Sequence, residues 1–145
     1  MTPKAAALHF RRVAAAVPAA VLAAETEMVK AAKEAAVRLS SGQYSAAQLR
    51  AAGHPYARRA PNAAYDAAII NAQTGRFRSA FAPILPVLSG GTVRSAVINN
   101  SPEARYMTGT RSMIARPIAA RTQQTVQPAR LLRLRRAIRR AYLTP

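Results

Sequence analysis

Hydrophobic and polar positions change their period along the chain. From residue 4 to residue 39, apolar side chains recur at roughly helical spacings in a segment dense in alanine, which predicts a long N-terminal helix. Pro18 lies inside this segment. Because proline removes one backbone donor, we expect either a kink or two abutting helices over 5–16 and 19–39.

The acidic residues of this predicted helix have two kinds of setting. Glu34 lies four residues from both Lys30 and Arg38, and Glu27 lies three residues from Lys30, so both acids suit surface ion pairs. Glu25 has no basic residue at such a spacing. It lies near the start of the second helical part, where a negative charge suits the helix dipole.

Residues 40–73 read as a loop-rich insertion. Ser40-Ser41-Gly42 ends the long helix, and Ser45 suits the cap of a short helix that Gly53 ends. His54-Pro55 then forces an extended exit.

Residues 74–110 have the shorter period of an antiparallel sheet. About four short strands are predicted, with turns at Pro83, Pro86 and Ser89-Gly90-Gly91; the strands cover 76–82, 84–88, 92–99 and 104–108. In the third strand, Val93 and Val97 lie on one face, and Arg94 and Ile98 lie on the other.

The first of these strands is the sequence TGRFRSAF. On a strand, Arg76 and Arg78 point to one face while Phe77 and Phe81 point to the other, which predicts an edge strand with an aromatic core face and a cationic outer face.

Residues 117–143 form the C-terminal helical segment, predicted as a helix over 117–124 and a second helix opened by Pro128. One face of the second helix is an apolar stripe of Leu131, Leu134, Ile138 and Tyr142, and another carries Arg130, Arg133, Arg136 and Arg140, flanked by Arg135 and Arg139. Three interpretations stay open for it: a helix packed on the body, a phosphate-facing surface, or a helix lying on a membrane. Together the elements indicate one α+β domain over residues 1–145.

Composition adds an extreme positive charge to this outline. The net charge is +17, and 19 of the 22 basic residues are arginine. The charge is uneven, because residues 73–145 carry thirteen arginines against Glu103 alone. Such a field requires a negatively charged partner, which is nucleic acid, an acidic protein surface or a membrane. Arginine's planar fork suits fixed contacts with carboxylate or phosphate. Because alanine makes up much of the apolar half of the sequence, we expect a thin core that contacts between subunits support.

Candidate chemistry is scarce. Of the five acidic residues, only Asp66 and Glu103 lie outside the first predicted helix, and they are 37 positions apart, which disfavours a catalytic pair of carboxylates. His9 and His54 lack the clustered partners that a metal site needs. There are no cysteines, no nucleophile elbow and no phosphate-binding loop. We therefore expect neither an enzyme nor a bound cofactor.

The N-terminal region is also similar to a signal peptide. Lys4, Arg11 and Arg12 precede the apolar run VAAAVPAAVLAA, which acidic residues follow. The run is mostly alanine and merges into a charged helix without a break. No uninterrupted run approaches the roughly 18 apolar residues that span a bilayer, so we expect no membrane partner.

Three landmarks, taken in order, resemble the tail-completion and neck proteins of long-tailed bacteriophages, which are head–tail joining or minor capsid-like proteins. TGRFRSAF (74–81) resembles the TGRLRxSI segment of that family, and YMTGTRSMIARPI (106–118) resembles its YxEFGTxxMxARPF segment. A basic amphipathic helix then closes the chain. LRAAGHPYARR (49–59) resembles an insertion of some members.

The chain departs from the family pattern at two places. Met107-Thr108 replaces the usual Glu and aromatic residue before Gly-Thr, so a charge-pair role for that acid does not carry over. Ile118 replaces the usual phenylalanine after Pro117, so a smaller side chain anchors the following helix.

The resemblance implies a structural virion protein that forms a homo-oligomeric ring, with sixfold symmetry as the expected case, between the portal or adaptor and the tail tube or tail terminator. The ring would surround the DNA channel. Gly75 and Gly109 would act as backbone turns and Arg116 as an anchor, within an assembly motif of Thr74, Gly75, Arg76, Gly109, Thr110, Arg116 and Pro117.

The basic surface of the last helix would then face acidic neighbours or lumenal DNA, through Arg130, Arg133, Arg136, Arg139 and Arg140. Two other classes of function stay open. One is a sequence-independent basic nucleic-acid-binding protein, and the other is a ribosome-associated basic protein, which the scarcity of lysine disfavours.

Overall fold

Two long helices and a β-hairpin make up most of the fold. The computed structural model of the protein describes residues 2–42, 75–106 and 117–144. Its elements, in chain order, are helix α1 (Pro3–Leu39), helix α2 (Arg76–Ser79), strand β1 (Phe81–Ser89), strand β2 (Thr92–Asn99), a 3₁₀ helix (Pro102–Tyr106) and helix α3 (Ile118–Leu143). This order confirms the predicted α+β class, with a long N-terminal helix, an antiparallel sheet and a C-terminal helix.

Helix α1 is continuous over 37 residues, so the alternative of two abutting helices at Pro18 is wrong. Thr2 caps its N-terminus, where the Thr2 Oγ1 accepts a hydrogen bond of 3.3 Å from the Ala5 N–H. Pro18 removes a single backbone bond, and the alanine-rich turns on either side, together with packing against α3, preserve the helix.

The N-terminal part of α1 is apolar but exposed. An 18-residue window of α1 reaches a mean hydropathy of 1.3, and none of that window is buried. By length and composition alone, α1 is therefore able to cross a membrane. The prediction from uninterrupted apolar runs alone did not identify it as a possible span. An N-terminal signal sequence also meets this criterion of length and hydropathy, so the property does not by itself identify a membrane span.

Residues 76–79 form the short helix α2 instead of the start of the predicted strand 76–82, so the assignment of Arg76 and Arg78 to one face of a strand is wrong. The reason lies in the aromatic spacing. Phe77 and Phe81 are four residues apart, and a helical turn brings both rings to one side. The rings pack edge to face with centroids 5.3 Å apart.

The sheet is a hairpin of β1 and β2, and not the predicted sheet of about four strands, among the residues that the structure describes. The predicted segments around Pro83 and Pro86 belong to one strand, β1, and the pairing with β2 shifts between Ile84 and Val87. Such a bulge accommodates Pro86, which cannot donate to a strand ladder.

Of the remaining predictions for this region, two are confirmed and one is wrong. Strand β2 has the predicted bounds 92–99, and the predicted turn at Gly90-Gly91 is confirmed. The predicted strand 104–108 is wrong over its described part, because Pro102–Tyr106 is a 3₁₀ helix. Residues 107 and 108 lie outside the described residues, as do the predicted loop and short helix over 43–73.

The Gly90-Gly91 turn has φ values of 54° and 75° at its two glycines. Two consecutive positive φ values define the type I′ turn that two-residue hairpin loops prefer, because its twist matches that of the strands. The turn sets the register, in which Phe81 pairs with Asn99 at the far end of the hairpin. Phe81 is thereby placed against α1.

The core is thin, as the alanine content predicts. It centres on Ala36, Phe81 and Ile118, with Val37, Leu39, Phe77 and Val97 packed around them. Among the described residues, seven hydrophobic side chains are buried, and three of these are alanines. Ile118, 6% exposed, anchors the start of α3 as expected from its position after Pro117.

Helix α3 is continuous through Pro128, so the predicted division into a helix over 117–124 and a separate helix from Pro128 is wrong. It packs antiparallel along α1: Arg130 meets Glu25, and Tyr142 meets His9 through an edge-to-face ring contact at 5.6 Å. Contact with α1 along this length stabilises the helix around Pro128.

Candidate functional site: the basic helix and its anchor

Helix α3 packs on α1 through a line of residues different from the predicted stripe. Every third or fourth residue on this line is buried or half-buried: Ile118, Thr122, Val126, Arg130, Leu134, Ala137 and Ala141. Of the predicted stripe, only Leu134 lies on it. Leu131, Ile138 and Tyr142 are 49%, 44% and 49% exposed. The prediction that α3 packs on the body is confirmed, but its packed face is rotated toward Arg130.

An ion pair between Glu25 and Arg130 explains this rotation. The Glu25 side chain is 4% exposed, and its Oε1 accepts a hydrogen bond of 2.8 Å from the Arg130 Nε and lies 2.8 Å from the Arg130 Nη2. The Ser95 Oγ on β2 lies 3.5 Å from the Glu25 Oε2. Conformations that leave a buried carboxylate unpaired are high in free energy, so the pair determines which side of α3 faces α1.

The other predicted basic residues lie on the solvent side of α3. Five exposed arginines belong to this group, namely Arg133, Arg135, Arg136, Arg139 and Arg140. Residues 117–144 contain seven arginines and no acidic residue. Arg130 therefore differs from its neighbours, because it is held within the fold while the five exposed arginines point outward.

The N-terminal part of α1 runs beside this end of α3 and is also cationic. Lys4, Arg11 and Arg12 are exposed there, and residues 2–24 contain no acid. The two helices thus present eight exposed basic side chains at one end of the molecule.

The Thr-Gly-Arg motif lies on a different element. Gly75 has φ 74° and forms the N-cap of α2, which confirms it as a backbone turn. Arg76 follows on α2, where its charge interacts with Glu103. The pKa of Glu103 is lowered, first by the hydrogen bond with its own backbone N–H and further by the charge of Arg76.

Asn99 is a connecting residue that the sequence analysis did not single out. Its side-chain amide donates to the Phe77 carbonyl at 2.8 Å, and its Oδ1 accepts from the Ser101 N–H at 2.9 Å. One side chain thereby joins α2, the end of β2 and the approach to the 3₁₀ helix. An asparagine next to a second asparagine at the end of a strand is a weak local turn signal and does not reveal a bond to a residue 22 positions earlier.

The remaining residues of the predicted assembly motif are partly described. Pro117 is the N-cap of α3, and its carbonyl accepts from the Arg121 N–H at 2.9 Å. Thr74, Gly109, Thr110 and Arg116 lie outside the described residues. The anchoring role of Arg116 stays a prediction.

The hairpin exposes an unusual amount of apolar surface. Five large side chains on its two strands are between 38% and 62% exposed, namely Ile84, Leu85, Val87, Leu88 and Ile98. Of these, Val87 opposes Arg94 in the register, and both are exposed. A two-stranded sheet is marginally stable on its own, so such a face favours contact with another surface.

An open, mostly apolar cavity of about 850 Å³ lies between α1, β2 and the first turns of α3. Met28, Val29, Phe81 and Ile118 contribute to its walls, and Glu25 with Arg130 supplies its charged group. The described residues contain no group of three or more His, Cys, Asp or Glu side chains able to hold a metal ion.

Comparison of the chain with protein-family models, with curated proteins and with solved structures finds no match.

Proposed function

We propose that this protein is a structural subunit of a homo-oligomeric ring at the head–tail junction of a long-tailed bacteriophage, between the portal or adaptor and the tail tube or tail terminator. The proposal rests on the order of three sequence landmarks: TGRFRSAF, YMTGTRSMIARPI and a closing basic helix. The expected location is the neck of the virion, after assembly in the host cytoplasm.

Features of the fold support a subunit that needs neighbours. The core is small, and the hairpin and helices expose large apolar side chains. Apolar surface of this kind favours burial against another subunit.

Ring closure requires two different surfaces on each copy, since a head-to-tail contact joins unlike faces. The hairpin, with Val87 62% exposed, and the helix α3, with Leu131 and Ile138, are separate apolar surfaces of one chain. They supply the unlike faces that such a contact needs.

Native mass spectrometry of the purified protein tests the proposal. A closed ring gives one discrete assembly of fixed copy number, and Val87→Glu on the exposed hairpin should reduce its population at least tenfold. Leu8→Glu is the matched control, because Leu8 is 51% exposed and lies outside the hairpin. A wild-type protein that stays monomeric, also when mixed with portal and tail proteins of a phage encoding it, would refute the ring.

The second candidate is a sequence-independent basic nucleic-acid-binding protein, which the five exposed arginines of α3 favour. A monomer that binds duplex DNA tightly at about 0.2 M salt would support it over the ring.

A further inference from the structure

We propose that the solvent face of α3 is a docking site for double-helical DNA, in which the helix lies in the major groove and its arginines contact the phosphates of both strands. The docking site defines which face of the protein contacts DNA and how the helix is oriented on the duplex. It does not depend on ring formation, since it needs only the face that one copy of α3 turns outward.

The arrangement of side chains around α3 carries the proposal. With about 100° per residue, Leu132 and Leu143 fall on the side of the helix opposite the packed line. Arg135 and Arg139 lie roughly 50° to one side of these leucines, and a second row of three arginines lies roughly 60° to the other. We call these sets the two arginine rows; the second consists of Arg133, Arg136 and Arg140.

Neither row is neutralised within the described part of the chain. All five side chains are exposed, and none takes part in an ion pair among the described residues. Within the described ranges, the acid that pairs with an arginine of α3 is Glu25, and Arg130 occupies it. The rows therefore keep their full charge for an external anion.

The dimensions of a helix with two charged flanks match a groove between two phosphate strands. An α-helix with its side chains is about 10–12 Å across, and the major groove of B-DNA is about 12 Å wide. A helix lying in it brings one flank to each strand. Arginine is well suited to this contact, because its planar fork donates two parallel hydrogen bonds to a phosphate.

The centre of the face predicts that binding is independent of sequence. Leu132 and Leu143 would point to the base edges, and leucine has no donor or acceptor with which to read them. Contacts to phosphates fix position without distinguishing bases.

A lipid surface fits this face less well. A helix that lies on a membrane has one wide apolar sector and one polar sector. Here the leucines stand between two cationic rows, and the other exposed apolar side chains, Leu131, Ile138 and Tyr142, lie beside the packed line next to α1.

The ion pair with Glu25 positions the site. Arg130 is bound on the packed line, so it fixes the rotation of α3 about its axis and thereby holds the two rows outward. Arg130 is a positioning residue here and makes no contact with the phosphates.

The test measures binding of the full chain to a fluorescent 30-base-pair duplex by anisotropy, across a series of potassium chloride concentrations. For nonspecific contacts, log K falls with log salt with a slope of about −0.9 for each phosphate neutralised. Arg135→Gln with Arg139→Gln should therefore reduce the slope by about 2, and replacing all three arginines of the second row should reduce it by about 3.

Arg11→Gln with Arg12→Gln is the matched control for the first row, because it removes two exposed arginines from α1. The proposal predicts a change in slope below about 1 for this control. Equal losses in the two double variants would overturn it, since they would show that binding follows net charge and has no defined face.

A second pair of variants tests the centre of the face without removing an arginine. Leu132→Glu and Leu8→Glu make the same change at side chains 49% and 51% exposed. The first should weaken duplex binding at least tenfold and the second less than threefold. Circular dichroism and thermal melting of each variant verify that the fold is retained.

Four further ligands identify the source of the anion. An AT-rich and a GC-rich duplex should bind within threefold of each other, and polyglutamate, which has no groove, should bind at least tenfold more weakly. Equal binding to polyglutamate, stronger binding to phosphatidylglycerol vesicles, or a tenfold preference between the duplexes would each overturn the proposed docking mode. Native masses recorded for the same variants report ring formation separately, so that loss of DNA binding is distinguishable from loss of assembly.

Discussion

Glu25 and Arg130 lie 105 residues apart in the sequence and form an ion pair, with one hydrogen bond of 2.8 Å from the Arg130 Nε and the Arg130 Nη2 also 2.8 Å from the same carboxylate oxygen. The Glu25 carboxylate is buried, and the Arg130 side chain is 43% exposed. The pair links the middle of α1 to the middle of α3, and Ser95 of β2 adjoins it. Three elements of the fold therefore meet at one charge.

Removing one partner of this pair should destabilise the fold more than removing both. Arg130→Met leaves a buried carboxylate unpaired and should lower the free energy of unfolding by about 2–3 kcal/mol, at or below the lower end of the range for buried pairs because Arg130 is half exposed. The double variant Glu25→Gln with Arg130→Met should recover about 1 kcal/mol or more of that loss. Urea unfolding of the two single variants and the double variant measures the coupling; additive effects would show that the pair does not hold α1 to α3.

Asn99→Ala should lower the free energy of unfolding by about 1–2 kcal/mol. The substitution removes two side-chain hydrogen bonds, to the Phe77 carbonyl and the Ser101 N–H. Within the described part of the chain, the Phe77 carbonyl keeps only its bond of 3.3 Å from the Ala80 N–H, and the Ser101 N–H loses its side-chain acceptor. Asn100→Ala is the control, because Asn100 is exposed and bonds to Ala80 through its backbone. Thermal unfolding compares them, and equal stability of the two variants would contradict a connecting role for Asn99.

Gly91→Val should destabilise the hairpin, whereas Gly91→Asn should be tolerated. Gly91 has φ 75°, and a left-handed conformation costs a side-chain-bearing residue about 1–2 kcal/mol, while asparagine visits it more readily. Open space surrounds the position, so no steric clash contributes. Amide hydrogen exchange of β1 and β2 should show faster opening for the valine variant only; similar exchange in both variants would disprove this account of the turn.

Stability should fall with acid in a way that depends on Glu103. Its pKa is lowered in the folded protein, mainly by its own backbone N–H, so ionised Glu103 contributes stability above its ordinary pKa of 4.5. That contribution is lost as the pH falls through the lowered folded-state value. Glu103→Gln should therefore be less stable than wild type at pH 7 and approach it in strong acid, as followed by urea unfolding. Glu34→Gln controls for the lost charge, and a difference that does not vary with pH would contradict the prediction.

The sequence predicted those elements whose signals are local. Strand β2 alternates cleanly between half-buried and exposed residues, with Val93 and Val97 inside and Arg94 and Ile98 outside, and its bounds are as predicted. The glycine pair at 90–91 identified the turn, because a type I′ turn needs a positive φ at two consecutive residues and glycine adopts a positive φ most easily.

Where the predicted secondary structure was wrong, tertiary contacts determine the structure that forms. Arg76–Ser79 reads as a strand by alternation, yet the packing of Phe77 on Phe81 selects a helical turn. The prolines at 18 and 128 read as helix boundaries, but each lies within a helix that its neighbour stabilises along its length.

The candidate site was only partly predictable for the same reason. Helical periodicity placed five arginines of α3 on an exposed face, but it wrongly included Arg130 in that face. It also favoured the line through Leu131 and Ile138 as the packed face, because those side chains are apolar. The buried carboxylate of Glu25 selected the line through Arg130 instead. A pairing between residues so far apart leaves no periodic signal in the sequence.

The length of α1 has a mechanical consequence. At about 1.5 Å per residue, the first turn of α1 lies roughly 33 Å from Glu25. No residue between positions 2 and 24 is buried, but the ring contact of His9 with Tyr142 joins this end of α1 to the last turn of α3. Force applied near Pro3 would therefore reach α3 at two places, at Tyr142 and at the Glu25–Arg130 ion pair, and would move the two helices together.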